Sequence, residues 1–382
     1  MKRVFVLDVR RTAIVTSNGK FKSVLPETLG AQLLKDLFNP TIEDQPLPID
    51  EIIMGNAVGT GGNIARLSSL IADLDPSIPA CTVDMQCASG AASIAIAFAK
   101  IRAGLADCII AGGIESASLQ PLRLYHRNDP RHAQSTVEGI SGAYHTAQFS
   151  PDTLSTTAML EGAERVARSD HISKHELDEW AIESHRRAAQ SRTLLLDSIV
   201  PINGWNIDNG IRDRINHRLL DRAPLPLGEG TVTSAGNSCR INDGAALAIL
   251  VSEDFIHRYD LNPLAEILTA VSLGGDPKES PRGAMNTADF LLRQSNLRWE
   301  NLNAIELNEA FAVIDVLFER AHPKLLDRYN RLGGAIAYGH PYGASGAVLL
   351  LHLIKALGSN GGIGLLSIAG AGGMGQSILI ER

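Results

Sequence analysis

The chain has 382 residues, 45% hydrophobic and 20% charged, with a formal net charge of −7 and a pI near 5.9. That is the balance of an ordinary globular chain, long enough for two or three domains and a large core without covalent staples. It offers no dominant basic surface, which argues against a primary nucleic-acid binder, and acidic substrates would need a local basic patch.

The N-terminus, MKRVFVLDVRRT, starts basic, but Asp8 and Arg10 cut its apolar run too early for a signal peptide. Val4–Val9 predicts a buried strand, Thr28–Leu37 a helix and Ile52–Val58 a second strand. Ala88–Leu105 predicts a helix of small residues, and Ala106–Ala111 a strand ending in Gly112-Gly113. This alternation favours an α/β fold. Across residues 121–239, His, Arg, Asp and Pro rise and the periodicity weakens. The exceptions are Ser155–Ala167 and Lys174–Ser191, the latter with Leu177, Trp180, Ala181 and Ser184 at helical spacing. This stretch reads as an inserted subdomain of loops and helices. Residues 263–382 return to alternation, and no run of about 18 or more apolar residues is evident that would span a membrane.

Glycine accounts for 35 residues, in clusters such as GTGG, AGG and AGAGG, which predict tight βα turns rather than a flexible linker. A faint repeat accompanies them. Ala88-Ser89-Gly90, a helix, a strand and Ala111-Gly112-Gly113 are followed later by Ala344-Ser345-Gly346, a helix, a strand and Ala371-Gly372-Gly373. Duplication of one βα unit is the reading adopted, although small-residue turns recur in any α/β protein.

The four cysteines, Cys81, Cys87, Cys108 and Cys239, show neither a CxxC pair nor zinc-ligand spacing, and free thiols suggest a reducing cytosol. His171 and His175 are four residues apart, but no third ligand is seen beside them, so no metal site is expected. Cys87, in MQCASGAA, directly precedes a predicted helix, whose free N–H groups and dipole favour a thiolate. A buried structural cysteine is an equally open reading of that residue alone. Two further stretches change the balance. LNEAFA at 307–312 follows a strand-like AIE, and GHPYGASGA at 339–347 sets His340 in a glycine-rich turn. A histidine can take a proton from a thiol, and Asn308 can hold a water or orient a carbonyl.

Taken in order, RRTA, GNAVGTGGNIAR, DMQCASG, AGGIESAS, MLEGAERVA, GTVTSAGNS with INDGAA, LNEAFA, GHPYGASGA and AGAGGMG resemble the thiolase family, the acetyl-CoA C-acyltransferases, over nearly the whole chain. The combination of GGNIAR, NSCRINDGA and GHPYGASGA is most similar to divergent acetyl-CoA C-acetyltransferases of low-GC Gram-positive bacteria that lack the second catalytic cysteine. The resemblance implies a five-layered α-β-α-β-α fold from two similar halves: 1–120 plus about 240–262, and 263–382, with 121–239 as an inserted loop domain. It implies a cytoplasmic homodimer or homotetramer acting on coenzyme A thioesters, with no permanently bound cofactor and no nucleic-acid or membrane partner. Cys87 matches the acylated nucleophile, His340 the residue that activates it, and Asn308 the residue that holds a catalytic water and forms one oxyanion hole with His340. The backbone N–H groups of Cys87 and Ala371 match a second hole, with Ala371 where the family has glycine. Met159, Ala235, Cys239, Ile241 and Phe311 fall at coenzyme A contact positions; Cys239 stands where a serine is usual. Arg186, Arg187, Arg212, Arg214 and Arg218 are candidates for the nucleotide phosphates, with solvated surface charge as the alternative. His145 and Phe149 lie where the insertion would cover the site, and GNAVGTGG where a loop near the subunit interface is expected.

One departure stands out. Ala369 occupies the place of the family's second reactive cysteine, which exchanges the α-proton of the acceptor in the condensation step. A methyl group moves no proton, so acylation is expected to survive and Claisen condensation to be impaired. A ketoacyl-synthase-like condensing enzyme and a partner-dependent or non-catalytic thiolase-like protein are the alternatives.

Overall fold

The computed structural model describes the whole chain except residues 39–40, 43–44 and 152–156. Its frame is a set of long strands: β1 (Val4–Thr12), β2 (Glu51–Gly55), β3 (Ala80–Val83), β4 (Cys108–Glu115), β5 (Asn242–Ser252), β6 (Ala265–Gly274), β7 (Ala304–Leu307), β8 (Ile363–Gly370) and β9 (Met374–Glu381). The helices that matter here are α1 (Pro26–Leu37), α2 (Ile64–Ile71), α3 (Ser89–Arg102), α4 (Ala158–Ser169), α5 (Lys174–Leu195), α6 (Gly283–Gln294), α7 (Ala312–Ala321) and α8 (Ser345–Leu357).

The strands run in the order β7-β8-β9-β6-β1-β5-β4-β2-β3. This is two half-sheets of one design. In the first, β3 and β2 pair in parallel, β2 and β4 in parallel, then β5 and β1 follow antiparallel. In the second, β7 and β8 are parallel and β9 and β6 follow antiparallel, while Tyr329 makes a parallel bridge to Ile305 at the place β3 takes in the first. The halves join edge to edge through only Val4↔Ile267, Phe5↔Glu266 and Val6↔Ala265. The duplication read from the sequence is thus repeated in strand order.

Helices α3 and α8 pack between the half-sheets, α1 and α2 cover the first and α6 the second, giving five alternating layers, as the resemblance implies. Composition explains the placement. Every residue of α8 except Lys355 is buried, as a helix enclosed on all sides requires. The stretch Tyr342–Asn360 is long and apolar enough to cross a membrane, which the sequence reading did not register; 78% of its window is buried here, and it is apolar because protein surrounds it.

The two ASG stretches start α3 and α8 and meet where those helices cross. A Cβ on Gly90 would lie 2.5 Å from the Gly343 carbonyl oxygen, and one on Gly346 would lie 2.0 Å from the Ala91 nitrogen. The small residues are there because two backbones touch. The two AGG stretches are not equivalent, however. Gly112 and Gly113 lie inside β4, which stays paired with β5 up to Glu115, and 113 is glycine because a Cβ there would strike the Gly343 oxygen at 1.9 Å. Only Ala371-Gly372-Gly373 is a turn, with φ of +89° and +77° at its glycines. The strand expected over Ile52–Val58 stops at Gly55, since the N–H groups of Ala57 and Val58 donate to the Glu115 carboxylate instead. The helix expected over Ser155–Ala167 spans Ala158–Ser169, with residues 155–156 outside the described ones. Lys174–Ser191 extends to Leu195 and starts on a Ser173/Glu176 capping box.

Candidate active site

Cys87 sits on a tight elbow between β3 and α3. Gln86 before it has φ of +53°, a left-handed conformation that turns the chain sharply. Ser89 holds the elbow: its Oγ accepts from the Met85 N–H (2.8 Å) and donates to the Gln86 carbonyl (2.6 Å). The thiol is buried, 6% exposed, and burial pushes its pKa up to about 12. Opposing that shift, its own backbone N–H and that of Ala371 favour the thiolate. Ala371 has no positive φ, so the turn accepts its Cβ.

His340 is fully buried and its charged form is disfavoured, with a pKa pushed down to about 3 by desolvation. Its backbone is laced to the 240–242 stretch: the His340 N–H donates to the Arg240 carbonyl at 2.9 Å, and Ile241 bridges to His340 in parallel. Gly339 before it has φ of +106°, and a Cβ there would strike the Asn242 side chain. The ring has a defined polarity. Ser345 Oγ lies 3.0 Å from the Pro341 carbonyl and donates to it, so it accepts from His340 Nδ1–H at 2.5 Å. That leaves Nε2 as the basic nitrogen, 3.3 Å from Asn308 Nδ2, which donates to it. Asn308 follows β7 and is fixed by its N–H to the Ser367 carbonyl.

Burial keeps both groups neutral, the Cys87 thiol protonated and the His340 imidazole uncharged.

A cavity of about 90 Å³ opens above the sulfur. Cys87, Ala371, Met159 and Ile241 line it, so four of the positions singled out in the sequence converge. His340 and Asn308 lie beneath, reaching the cavity through Tyr342, whose ring packs edge-on to His340 at 4.7 Å and lines the wall. Cys239 and Phe311 flank them: the Cys239 N–H donates to the Ala310 carbonyl, and Ser238 bridges to Phe311. Burial raises the Cys239 thiol, and the nearby Cys87 raises it further. Ala235 is not part of this group; it is exposed, with its N–H on the Pro224 carbonyl. From the insertion, Phe149 and the stacked pair Tyr125 and Tyr144 (4.2 Å) form the cover, whereas His145 lies outside the lining. Arg186 is held by Glu183 and Gln190, and Arg187 by Glu183 and the Tyr329 carbonyl, while Arg212, Arg214 and Arg218 are exposed.

Ala369 is buried in β8, and its methyl group faces Gly283 at the start of α6. Ser367, two residues earlier on the same face, is already committed: it donates to the Ala284 carbonyl at 2.7 Å and shares a bond with Ser377. The sequence reading missed Ser345, Tyr342, Ser89 and Glu115. Glu115 accepts from the N–H groups of Ala57, Val58 and Gly343, tying the GHP turn to the loop after β2. Ser345 and Tyr342 were inside the GHPYGASGA stretch and were open to notice there.

The site so described is a buried cysteine elbow on a cavity, with His340 and Asn308 hydrogen-bonded to each other and His340 packed on the Tyr342 wall. Comparison with known proteins gives the chain its family. Residues 4–254 match the family description "Thiolase, N-terminal domain" and residues 261–382 match "Thiolase, C-terminal domain". A Staphylococcus epidermidis protein named "Putative acetyl-CoA C-acetyltransferase VraB" is 34% identical over 392 residues, covering 100% of this chain and 99% of its own. The same-named protein of Staphylococcus aureus strain MRSA252 is 34% identical over 391 residues, covering 100% of both chains. The crystal structure of the Bacillus anthracis acetyl-CoA acetyltransferase superposes with a TM-score of 0.89 at 26% identity, covering 100% of this chain and 99% of that one. The chain belongs to the thiolase family and is by class an acyltransferase.

Proposed function

We propose that this protein takes an acyl group from a coenzyme A thioester onto Cys87 and passes it to an acceptor, with the condensation step of the family impaired. The observation that carries the reading is that buried Cys87, on its elbow, and Ala371, in its turn, line one cavity, where the backbone N–H groups of both favour negative charge. Donors aimed where charge develops are each worth about 10²–10³ in rate.

In the first step the thiol proton passes to His340 Nε2 as the sulfur attacks the thioester carbonyl. The tetrahedral oxyanion takes the N–H donors, the C–S bond to coenzyme A breaks, and the proton returns to the leaving thiolate. Nothing in this step needs residue 369. Met159 and Ile241 suit the pantetheine end of the donor, with Cys239 and Phe311 beside them; Ala235 and the exposed arginines Arg212, Arg214 and Arg218 are assigned to its outer part. In the second step an acceptor enolate needs a base at position 369, where Ala369 has none, and Ser367 is engaged elsewhere.

Four free cysteines suit a cytoplasmic protein. The exposed Leu25, Leu67, Leu70 and Ile71 suit burial in a homo-oligomer, dimer or tetramer. The test is to mix the protein with acetyl-CoA and with acetoacetyl-CoA, following the mass of Cys87 and the condensation product separately. Acyl-enzyme without condensation supports the proposal. Condensation at ordinary thiolase rates sinks the second half of it, and absence of any acyl-enzyme leaves the non-catalytic reading in its place.

A further inference from the structure

We infer that His175, Glu179 and His217 bind a divalent first-row transition-metal ion of the zinc type, on the inserted segment and apart from the cysteine site. The sequence drew attention to His171 with His175, but the donors that converge are different. His175 and Glu179 are one turn apart on α5, and His217 arrives from the short helix His217–Leu220. One ligand atom from each lies within 4.8 Å of the others. His217 Nε2 is 2.5 Å and His175 Nε2 3.8 Å from the same oxygen, Glu179 Oε1. The two imidazoles also stack, centroids 4.8 Å apart and planes 25° off parallel, which keeps them side by side; sharing one ion takes a further turn of the rings.

A tetrahedral ion with bonds of about 2.0–2.1 Å sets its ligand atoms ~3.3 Å apart. The distances of 2.5 and 3.8 Å bracket that value, and the side chains are 39–72% exposed, so rotamer adjustment is open to them. Both imidazoles approach one carboxylate oxygen. A metal uses both as neutral donors. Two imidazoles and one carboxylate suit zinc, copper or nickel rather than calcium or magnesium, which prefer all-oxygen shells. Three protein donors leave a fourth position for water.

The ion would clamp α5 to the 217–220 helix. Helix α5 already holds both neighbours: Lys174 Nζ donates to the Leu220 carbonyl at 3.1 Å, and Asp178 accepts at 2.9 Å from Nδ2 of Asn237, in the loop before Cys239. The role is structural, steadying the insertion.

The experiment is titration of chelator-treated full-length protein with Zn²⁺ by calorimetry, with Co²⁺ absorption as the reporter of ligand type. We expect one binding step that weakens at least about tenfold in His217→Ala and in the isosteric Glu179→Gln, since even outer-shell partners of a metal cost 10–100-fold, and that is unchanged in His171→Ala. Zn²⁺ should raise the melting temperature of the wild type and not of Glu179→Gln. No binding step, a step unaffected by both substitutions, or a Co²⁺ spectrum with thiolate charge-transfer bands overturns the inference.

Discussion

Ser345 Oγ stands 2.5 Å from His340 Nδ1 and donates onward to the Pro341 carbonyl, which makes Nε2 the basic nitrogen of the imidazole. Ser345 is therefore the residue that sets the tautomer. Removing its hydroxyl leaves a buried N–H with no acceptor and frees the ring to present either nitrogen. We expect Ser345→Ala to slow acylation of Cys87 by about 10²-fold, less than the ~10⁴ that loss of the orienting aspartate produces in a catalytic triad because a neutral hydroxyl replaces a carboxylate there, and to lower stability by about 1–3 kcal/mol. Rapid-quench intact mass gives the first and urea unfolding the second. An unchanged acylation rate would remove Ser345 from the mechanism.

Ala369 offers the reverse test, a gain of function. Its Cβ is buried on the face that meets Gly283, and one sulfur atom is a small addition there. General acid–base catalysis contributes about 10²–10⁴-fold. We expect Ala369→Cys to raise the condensation rate by about 10² or more while acylation of Cys87 changes little. Product formation from two acetyl-CoA molecules is the measurement, and a rate no higher than the wild type's contradicts the assignment of the missing base.

The resting thiol also makes a pH statement. Burial holds Cys87 up near 12 and His340 down near 3, so between pH 7 and 10 the imidazole is neutral and the thiolate is a small fraction that grows tenfold per pH unit. Alkylation of Cys87 by iodoacetamide should rise along that slope with no plateau, and prior exposure to acyl-CoA should abolish it. A plateau reached below pH 8 would instead reveal a preformed thiolate–imidazolium pair.

The crossing of α3 and α8 admits no side chain. A Cβ at Gly346 would sit 2.0 Å from the Ala91 nitrogen and 2.6 Å from its Cα, both backbone atoms that cannot swing away. We expect Gly346→Ala to cost about 3 kcal/mol or more, the upper end for overpacking. Gly274→Ala, where an added Cβ meets nothing within 4 Å, should stay within about 0.5 kcal/mol, as open surface sites do. Chemical-denaturation midpoints of the two variants decide the matter.

Much of this protein is written locally. The alternation of strand and helix, the helix starts at Ser89 and Ser345, and the candidates Cys87, His340 and Asn308 all follow from short stretches, because propensity, glycine placement and side-chain chemistry act over a few residues. The misreadings are equally instructive. Gly112-Gly113 has the composition of a turn yet lies within a strand that stays paired with β5, and 113 is glycine because the Gly343 carbonyl passes over it from 230 residues away. The strand after Ile52 ends early because Glu115, distant in sequence, captures its next two N–H groups.

By itself, then, the amino-acid order determined the element types, the repeat, the family resemblance that marks Cys87 as the candidate nucleophile, and the methyl group at 369. Tertiary structure alone decided which nitrogen of His340 is basic, which insertion residues cover the sulfur, and that His217 rather than His171 meets Glu179. Those outcomes depend on groups brought together by packing two half-sheets around α3 and α8, and contact across such distances in sequence leaves no periodic or local trace.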